Sequence, residues 1–118
     1  MLFRSRSDVA RRFMTAYLQG IRAFNAALKD GHLSGDGAEE IVAILTKHSN
    51  VKDAATVRAM VAHACDPDGR VNVDSLRKDL AFFKAQGDVK GAITADQVID
   101  LSFVEAAVKE LGPAKATR

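Results

Sequence analysis

The sequence predicts an all-α fold, an array of about five helices joined by turn-rich connections. Apolar residues recur at helical spacing in five segments, and residues that favour helix starts precede most of them. No segment alternates apolar and polar residues for long enough to predict a strand. With 118 residues, of which 47% are hydrophobic and 27% charged, the chain has the composition of one globular unit. We therefore treat residues 1–118 as a single helical domain or a fragment of one.

The first and longest helix is predicted over Asp8–Lys29, and the remaining helices are expected to pack around it. Residues 1–7 are read as an extended lead-in, with Ser7 or Asp8 as the helix cap. Its predicted buried side comprises Val9, Phe13, Tyr17, Gly20, Ile21, Phe24 and Leu28, flanked by Ala10, Met14, Ala16, Ala23 and Ala27. Its predicted solvent side comprises Arg11, Arg12, Thr15, Gln19, Arg22, Asn25 and Lys29. An apolar arc of about half the circumference favours packing against a sheet or several helices over a coiled coil.

Two shorter helices are predicted after a glycine-rich loop in which Gly31 ends the first helix. The second helix spans 38–48, with Asp36 as its cap and Glu39 three residues on. The third spans 54–65 and is capped by Asp53. The predicted buried residues are Ala38, Ile41, Ile44, Leu45 and His48 in the second helix, and Val57, Met60, Val61 and Ala64 in the third.

A fourth helix follows the turn Asp66-Pro67-Asp68-Gly69, with Val73 just before it, Asn72 or Asp74 as its cap and Gly87 as its end. Its predicted inner side is Leu76, Leu80 and Phe83. Phe82 points away from that side and requires a second surface.

The last helical region consists of a short turn from Thr94 and a helix over 102–111, both starting with capping-box spacing. Its predicted apolar stripe is Leu101, Val104, Ala107, Val108 and Leu111. Gly112-Pro113 ends this helix, and residues 113–118 are expected to form a frayed tail.

Two groups of residues invite a metal-binding hypothesis, and neither supports it. The run Asp66-x-Asp68-Gly69 resembles the middle of a calcium-binding EF-hand loop, but Ala64 and Ser75 stand where two strong ligands belong. The second group is His32, His48, His63 and Cys65. On a helix, His63 and Cys65 would point in nearly opposite directions. We predict no metal-binding, cofactor-binding or catalytic residue, and no enzymatic activity.

The basic residues of the first helix, Arg11, Arg12, Arg22 and Lys29, are predicted to be a solvated face. Seventeen basic residues are balanced by fifteen acidic ones along the chain, so no nucleic-acid partner is expected. Cys65 is the only cysteine, and no apolar run is long enough to cross a bilayer. The N-terminus lacks the apolar centre of a secretory signal, so this chain expressed alone is expected in the cytoplasm.

Five ordered blocks of the sequence resemble a known family. The blocks are DVARRFMTAYLQGIRAFNAA from Asp8, EIVAILTKH from Glu40, DPDGRVN from Asp66, residues 76–87, and DLSFVEAAVKELG from Asp100. Together they are similar to the C-terminal helical part of type II periplasmic solute-binding proteins of ABC importers. The class is the one that takes up nitrate, sulfonates, taurine and thiamine precursors. The similarity covers nearly all of residues 8–112.

The resemblance implies non-catalytic solute uptake in the periplasm, with delivery to an ABC permease by the full-length protein. It also implies that these helices coat an α/β lobe, while solute contacts come from elsewhere, so no binding residue is carried over. The expected partners are the family's N-terminal lobes or a second copy bound through apolar helix faces. A stand-alone helical protein-interaction module is the alternative, and a nucleic-acid-binding helical domain is a weaker one.

Overall fold

In the computed structural model, which describes residues 6–115, the chain forms six helices and one two-stranded hairpin. The elements in chain order are α1 Ser7–Ala27, β1 Leu28–Lys29, β2 His32–Leu33, α2 Ala38–His48, α3 Ala54–Ala59, α4 Val73–Gln86, α5 Ala95–Val98 and α6 Ser102–Leu111. The predicted predominance of helix is therefore confirmed, with the short turn from Thr94 appearing as α5.

Helix α1 runs through both hydrophobic cores of the molecule. One core gathers the C-terminal end of α1, the hairpin, α2 and α3 around the buried residues Ala27, Leu33, Ala38, Val42 and Val57. The other joins the middle of α1 to α6 through Leu18, Ile21 and Ala107. Helices α2 and α6 therefore pack on the first helix as predicted, whereas α3 packs chiefly on α2 and the hairpin, and α4 packs chiefly on α5.

The buried side of α1 differs from the predicted one by about one residue. Leu18 is fully buried, whereas Phe13 and Tyr17 are 57% and 51% exposed. Ala10 and Ile21 share the buried side with Leu18, and this side faces α6. The prediction is therefore right for Ile21 and for the flanking Ala10 and Ala27. Phe13 and Tyr17 lie up to about 100° around the helix from the side that meets α6, so they are exposed.

A hairpin replaces the end of the predicted first helix, so the expectation of no strand is wrong. Helix α1 ends at Ala27, and β1 and β2 pair antiparallel, with Leu28 opposite Leu33 and Lys29 opposite His32. Asp30 and Gly31 have φ values of 53° and 79°, as a two-residue type I′ turn requires. The Asp-Gly pair therefore forms a hairpin turn rather than a simple helix stop.

Helix α3 ends at Ala59, six residues before its predicted end, which leaves Met60 and Val61 exposed. The chain from Met60 onward is held by contacts outside the helix. The Ala62 N–H donates to the Gly31 carbonyl at 2.8 Å. Farther on, the Asn25 side chain donates to the Cys65 carbonyl and accepts from the Cys65 N–H. These hydrogen bonds to the hairpin turn and α1 replace the helical bonds that residues 60–65 would otherwise make.

The helix starts agree with prediction in part. The Asp53 carboxylate accepts from the N–H groups of Ala55 and Thr56, and Asn72 accepts from Ser75, as predicted. The Thr94 N–H donates to Gln97, in the predicted capping pattern. The other predicted caps are wrong: the cap positions are Arg6 for α1, Gly37 for α2 and Leu101 for α6, and none makes a side-chain cap bond.

Both chain ends of the described region also correct the prediction. Ser7 already belongs to α1 and Arg6 is its cap position, while residues 1–5 of the predicted lead-in lie outside the described residues. At the other end Gly112 ends α6 as predicted, but Ala114 is half-buried, and its N–H donates to Asp68 at 2.8 Å. Ala114 is therefore anchored rather than frayed, and 116–118 lie outside the described region.

The molecule buries less of its surface than a compact chain of its size. Its radius of gyration is 17.4 Å, against about 13.5 Å expected for this length. Its accessible surface is 8957 Å², against about 6,200 Å² expected for this mass. Among the described residues, no helix is long and apolar enough to span a bilayer.

Candidate interaction surfaces

The first candidate surface is the side of α1 that faces away from α6. We call it the outer face of α1, and it consists of Val9, Phe13, Ala16, Tyr17, Gly20, Ala23 and Phe24. All of these residues are exposed except Phe24, which is half-buried. The rings of Phe13 and Tyr17 stack, with centroids 6.3 Å apart. A charge-free strip therefore runs along three-quarters of the helix.

A groove of about 390 Å³ continues this face at the C-terminal end of α1. It is lined by Gly20, Ala23 and Phe24 of α1 and by Ile41, Ile44 and Leu45 of α2. Asp36 and Glu40 also line it, and both are exposed. The groove is thus apolar inside, with two carboxylates at its border.

The second candidate surface lies on α4, which has no buried residue among its fourteen. Leu76, Phe82 and Phe83 are 40%, 58% and 46% exposed. The two phenylalanine rings meet edge to face, with centroids 5.5 Å apart. The helix packs mainly against the short α5, where Arg77 donates to Asp96 at 2.8 Å and Lys84 donates to the Ile93 carbonyl. The predicted inner side of this helix is therefore largely open to solvent, and Phe82 has no covering surface among the described residues.

Arg22 lies at the centre of the contact that joins α1, the 66–69 turn and the end of α6. Its guanidinium donates to the Asp68 carboxylate and to the Gly112 carbonyl, each at 2.8 Å, and to the Pro67 carbonyl at 3.0 Å. Arg22 is half-buried, so its assignment to a solvated basic face is wrong. Asn25 and Thr15 also leave the predicted solvent side, because Asn25 pairs with the Cys65 backbone and Thr15 donates to Glu110.

The pKa of Asp68 is lowered from its ordinary value by the hydrogen bonds that its carboxylate accepts. The Ala114 N–H has the largest effect, followed by the Arg22 guanidinium, and the nearby charge of Arg70 adds to it. A second lowered pKa belongs to Glu39, which accepts from Arg58 at 2.6 Å and so joins α2 to α3. These ion pairs hold elements together and do not converge on a shared cavity.

The calcium-like run of residues forms the predicted turn, and its carboxylates are used within the chain. The Gly69 N–H donates to the Asp66 carbonyl, and Asp66 Oδ1 accepts from the N–H groups of Asp68 and Arg70. Asp68 Oδ1 is bound by Arg22 and Ala114. Three or more histidine, cysteine, aspartate or glutamate side chains do not come together as a metal site anywhere in residues 6–115.

The histidines and the cysteine occupy separate, exposed positions. His32 lies on β2 and His48 at the end of α2, while His63 and Cys65 lie in the extended segment after α3. Cys65 borders the outer face of α1 beside Tyr17 and Phe24. His32 and His48 therefore lie on other elements than His63 and Cys65, which share one non-helical segment, so the predicted helical separation of that pair does not apply. Arg22 does not belong to the solvated basic face, whereas Arg11, Arg12 and Lys29 are exposed.

The chain was compared with protein-family models, curated proteins and solved structures, and none of the three comparisons gives a match. A function is therefore argued from the two apolar surfaces and from the five sequence blocks that carry the resemblance.

Proposed function

We propose that this chain is the C-terminal helical segment of an ABC-importer substrate-binding protein of the nitrate, sulfonate, taurine and thiamine-precursor type. In this proposal it has no catalytic activity and serves solute uptake by packing on an α/β lobe. The observation that supports it best is the open apolar side of α4, in a chain with an accessible surface of 8957 Å². A chain of this mass normally exposes about 6,200 Å².

The pattern of α4 is that of a helix that covers another body. Leu76, Leu80 and Phe83 fall at i, i+4 and i+7, which places them on one side of the helix. In the described residues, α5 and the residues before it meet this helix near Leu80, whereas Leu76 and Phe83 are 40% and 46% exposed. Exposed aromatic and aliphatic side chains in a continuous group mark a contact site rather than a solvent face. An α/β lobe would bury this side, and Phe82, which points away from it, would need a second part of the same protein to cover it.

The two cores explain how the segment could keep its shape while packing on a lobe. Helix α1 carries α6 on one side and the hairpin with α2 and α3 at its end. The Arg22 contacts fix the turn that leads toward α4. In the family, solute is captured by closure of two lobes about a hinge, so this segment would move with its lobe and contribute no solute contact.

The proposal is tested by the reading frame upstream of Met1 and by a binding measurement. The frame is expected to encode two α/β lobes and a secretion signal, joined to the helices described here. The joined protein should bind one solute of the class in calorimetry, and the 118-residue chain alone should bind none. An upstream region unrelated to α/β lobes would overturn the assignment.

A stand-alone protein-interaction module is the second candidate, and the exposure of Leu76 and Phe83 favours it. Anchors at this spacing are typical of a helix that enters a groove on a partner protein. This function predicts a separate gene without lobe sequences. It also predicts a partner protein that no longer binds the double variant Leu76→Ser with Phe83→Ser.

A nucleic-acid-binding function is less favoured, because the Arg22 guanidinium is paired with Asp68. Steep salt-dependent retention on DNA would support this function.

A further inference from the structure

We propose that the outer face of α1 pairs antiparallel with the same face of a second copy of this chain, with Tyr17 of each copy lying over Gly20 of the other. This inference goes beyond the proposed function, which concerns the α4 side. The dimer is two-fold symmetric, so one patch serves both copies.

The two halves of the outer face have complementary shapes. The N-terminal half projects the stacked rings of Phe13 and Tyr17, which are 57% and 51% exposed. The C-terminal half is a groove of about 390 Å³, with Gly20 and Ala23 in its α1 wall. Antiparallel pairing about a point between Tyr17 and Gly20 brings the projecting half of each copy into the groove of the other. Parallel pairing would instead place aromatic rings against aromatic rings.

Gly20 supports a close approach of another backbone. It stands in the interior of α1, where glycine is less favourable than alanine. Among the described residues, no heavy atom lies within 4 Å of the position that a Cβ would occupy there. Packing within the described chain therefore does not require glycine, whereas a partner side chain seated directly on the helix backbone does.

The charges at the two ends of the face also favour antiparallel pairing with a second copy. The N-terminal end carries Arg6 and Arg12 close to this face, and Arg12 lies 3.4 Å from the carboxylate of Asp8. The groove at the other end is bordered by Asp36 and Glu40. Antiparallel pairing places the basic end of each copy beside the acidic border of the other, and parallel pairing places like charges together.

The available area sets the strength of the pairing. The exposed parts of Phe13 and Tyr17 and the groove walls amount to roughly 350 Å² per copy, or about 700 Å² in total. This is below the standard size of a specific interface, so the dimer should be weak and should form and dissociate with concentration.

Sedimentation equilibrium over a range of concentrations tests the pairing. The natural chain should show a monomer–dimer equilibrium, and Tyr17→Glu should raise its Kd at least tenfold. Phe82→Glu is the matched control, because it places the same charge on an equally exposed aromatic position of α4. The dimer of this control should be unchanged. A natural chain that stays monomeric, or a dimer lost only in Phe82→Glu, would overturn the inference while leaving the proposed function open.

A charge exchange tests the antiparallel direction. Arg12→Glu and Glu40→Lys should each raise the dimer Kd severalfold, and the double variant should restore it toward the natural value.

Gly20→Ala should raise the thermal midpoint of the monomer and at the same time raise the Kd of the dimer. If Gly20 acted only within its own chain, the two effects would not have opposite signs. A double variant as weak as its parents, or a Gly20→Ala dimer as tight as the natural one, would contradict this geometry. Circular dichroism of each variant confirms that it is folded.

Discussion

The Arg22 guanidinium donates to the Asp68 carboxylate across 46 positions of sequence at 2.8 Å, and the same nitrogen, Nη2, reaches the Gly112 carbonyl. Three distant segments thus meet at one side chain. Replacing it by Met keeps the aliphatic stem but leaves the Asp68 carboxylate and two carbonyls without this donor. Arg22→Met should therefore lower the thermal midpoint by on the order of 5 °C or more. Arg11→Met, on the exposed part of α1, is the control and should change it little.

The stability of the chain should fall in acid, partly because of Asp68. Its pKa is lowered in the folded chain by the Ala114 N–H and then by Arg22. A carboxyl with a lowered folded pKa contributes stability above its unfolded pKa and loses it as the pH falls through the folded pKa. The loss should therefore develop below about pH 4. Urea unfolding at pH 7 and pH 3 should show a smaller acid loss in Asp68→Asn than in the natural chain; equal losses would contradict the assignment.

The orientation of α1 can be tested with two neighbouring substitutions. Leu18 is fully buried against α6, whereas Tyr17 is half exposed on the outer face. Leu18→Ala should cost about 3 kcal/mol in the free energy of unfolding, because it leaves a cavity in the smaller core. Tyr17→Ala should cost less than about 1 kcal/mol. Urea denaturation at a concentration where the chain is monomeric measures both, and a reversed order would mean that the helix is rotated.

Two glycine substitutions should have opposite effects. A Cβ at Gly35 would lie 2.6 Å from the Ala26 carbonyl oxygen, and backbone cannot move aside cheaply. Gly35→Ala should therefore destabilise the chain by about 2 kcal/mol. Gly20→Ala meets no described atom within 4 Å and should stabilise the monomer by about 1 kcal/mol. Thermal unfolding of the two variants at one low concentration makes the comparison.

The cap of α4 should matter locally. Asn72 accepts a hydrogen bond from the Ser75 N–H at 3.0 Å, and little tertiary packing supports this helix. Asn72→Ala should cost about 1 kcal/mol of helix stability. Hydrogen exchange should show faster exchange of the amides of α4 and unchanged exchange in α1 and α6. Equal protection of α4 in both proteins would show that packing, rather than the cap, holds its first turn.

Helical periodicity and capping residues were sufficient to predict the helical class and most helix positions. Asn72, Thr94 and Gly87 mark helix ends in the structure as they do in the sequence. These signals are local, because a cap satisfies backbone groups within a few residues of itself. The helix end at Ala59 was missed because it depends on Asn25 and Gly31, which bind the following segment from elsewhere in the chain.

The side of α1 that is buried could not be predicted, because the helix is apolar on two sides. Leu18 and Phe13 lie on different sides, and periodicity alone does not say which side meets α6. Arg22 was missed for a related reason: a charged residue beside an apolar arc looks the same whether it meets water or a buried carboxylate. The proline and the two aspartates of residues 66–68 predicted the turn, but nothing in the local sequence pointed to Arg22 as its partner.

The contact between α1 and α6 also has a consequence for how the chain reaches its structure. Arg22 and Gly112 are separated by 90 positions, and the Leu18 core is complete only when α6 has docked. Contacts between such distant residues form late, because closing a long loop costs entropy before any contact compensates for it. The hairpin, α2 and α3 can assemble first, because their contacts are nearer in sequence. The docking of α6 on α1 should then set the refolding rate.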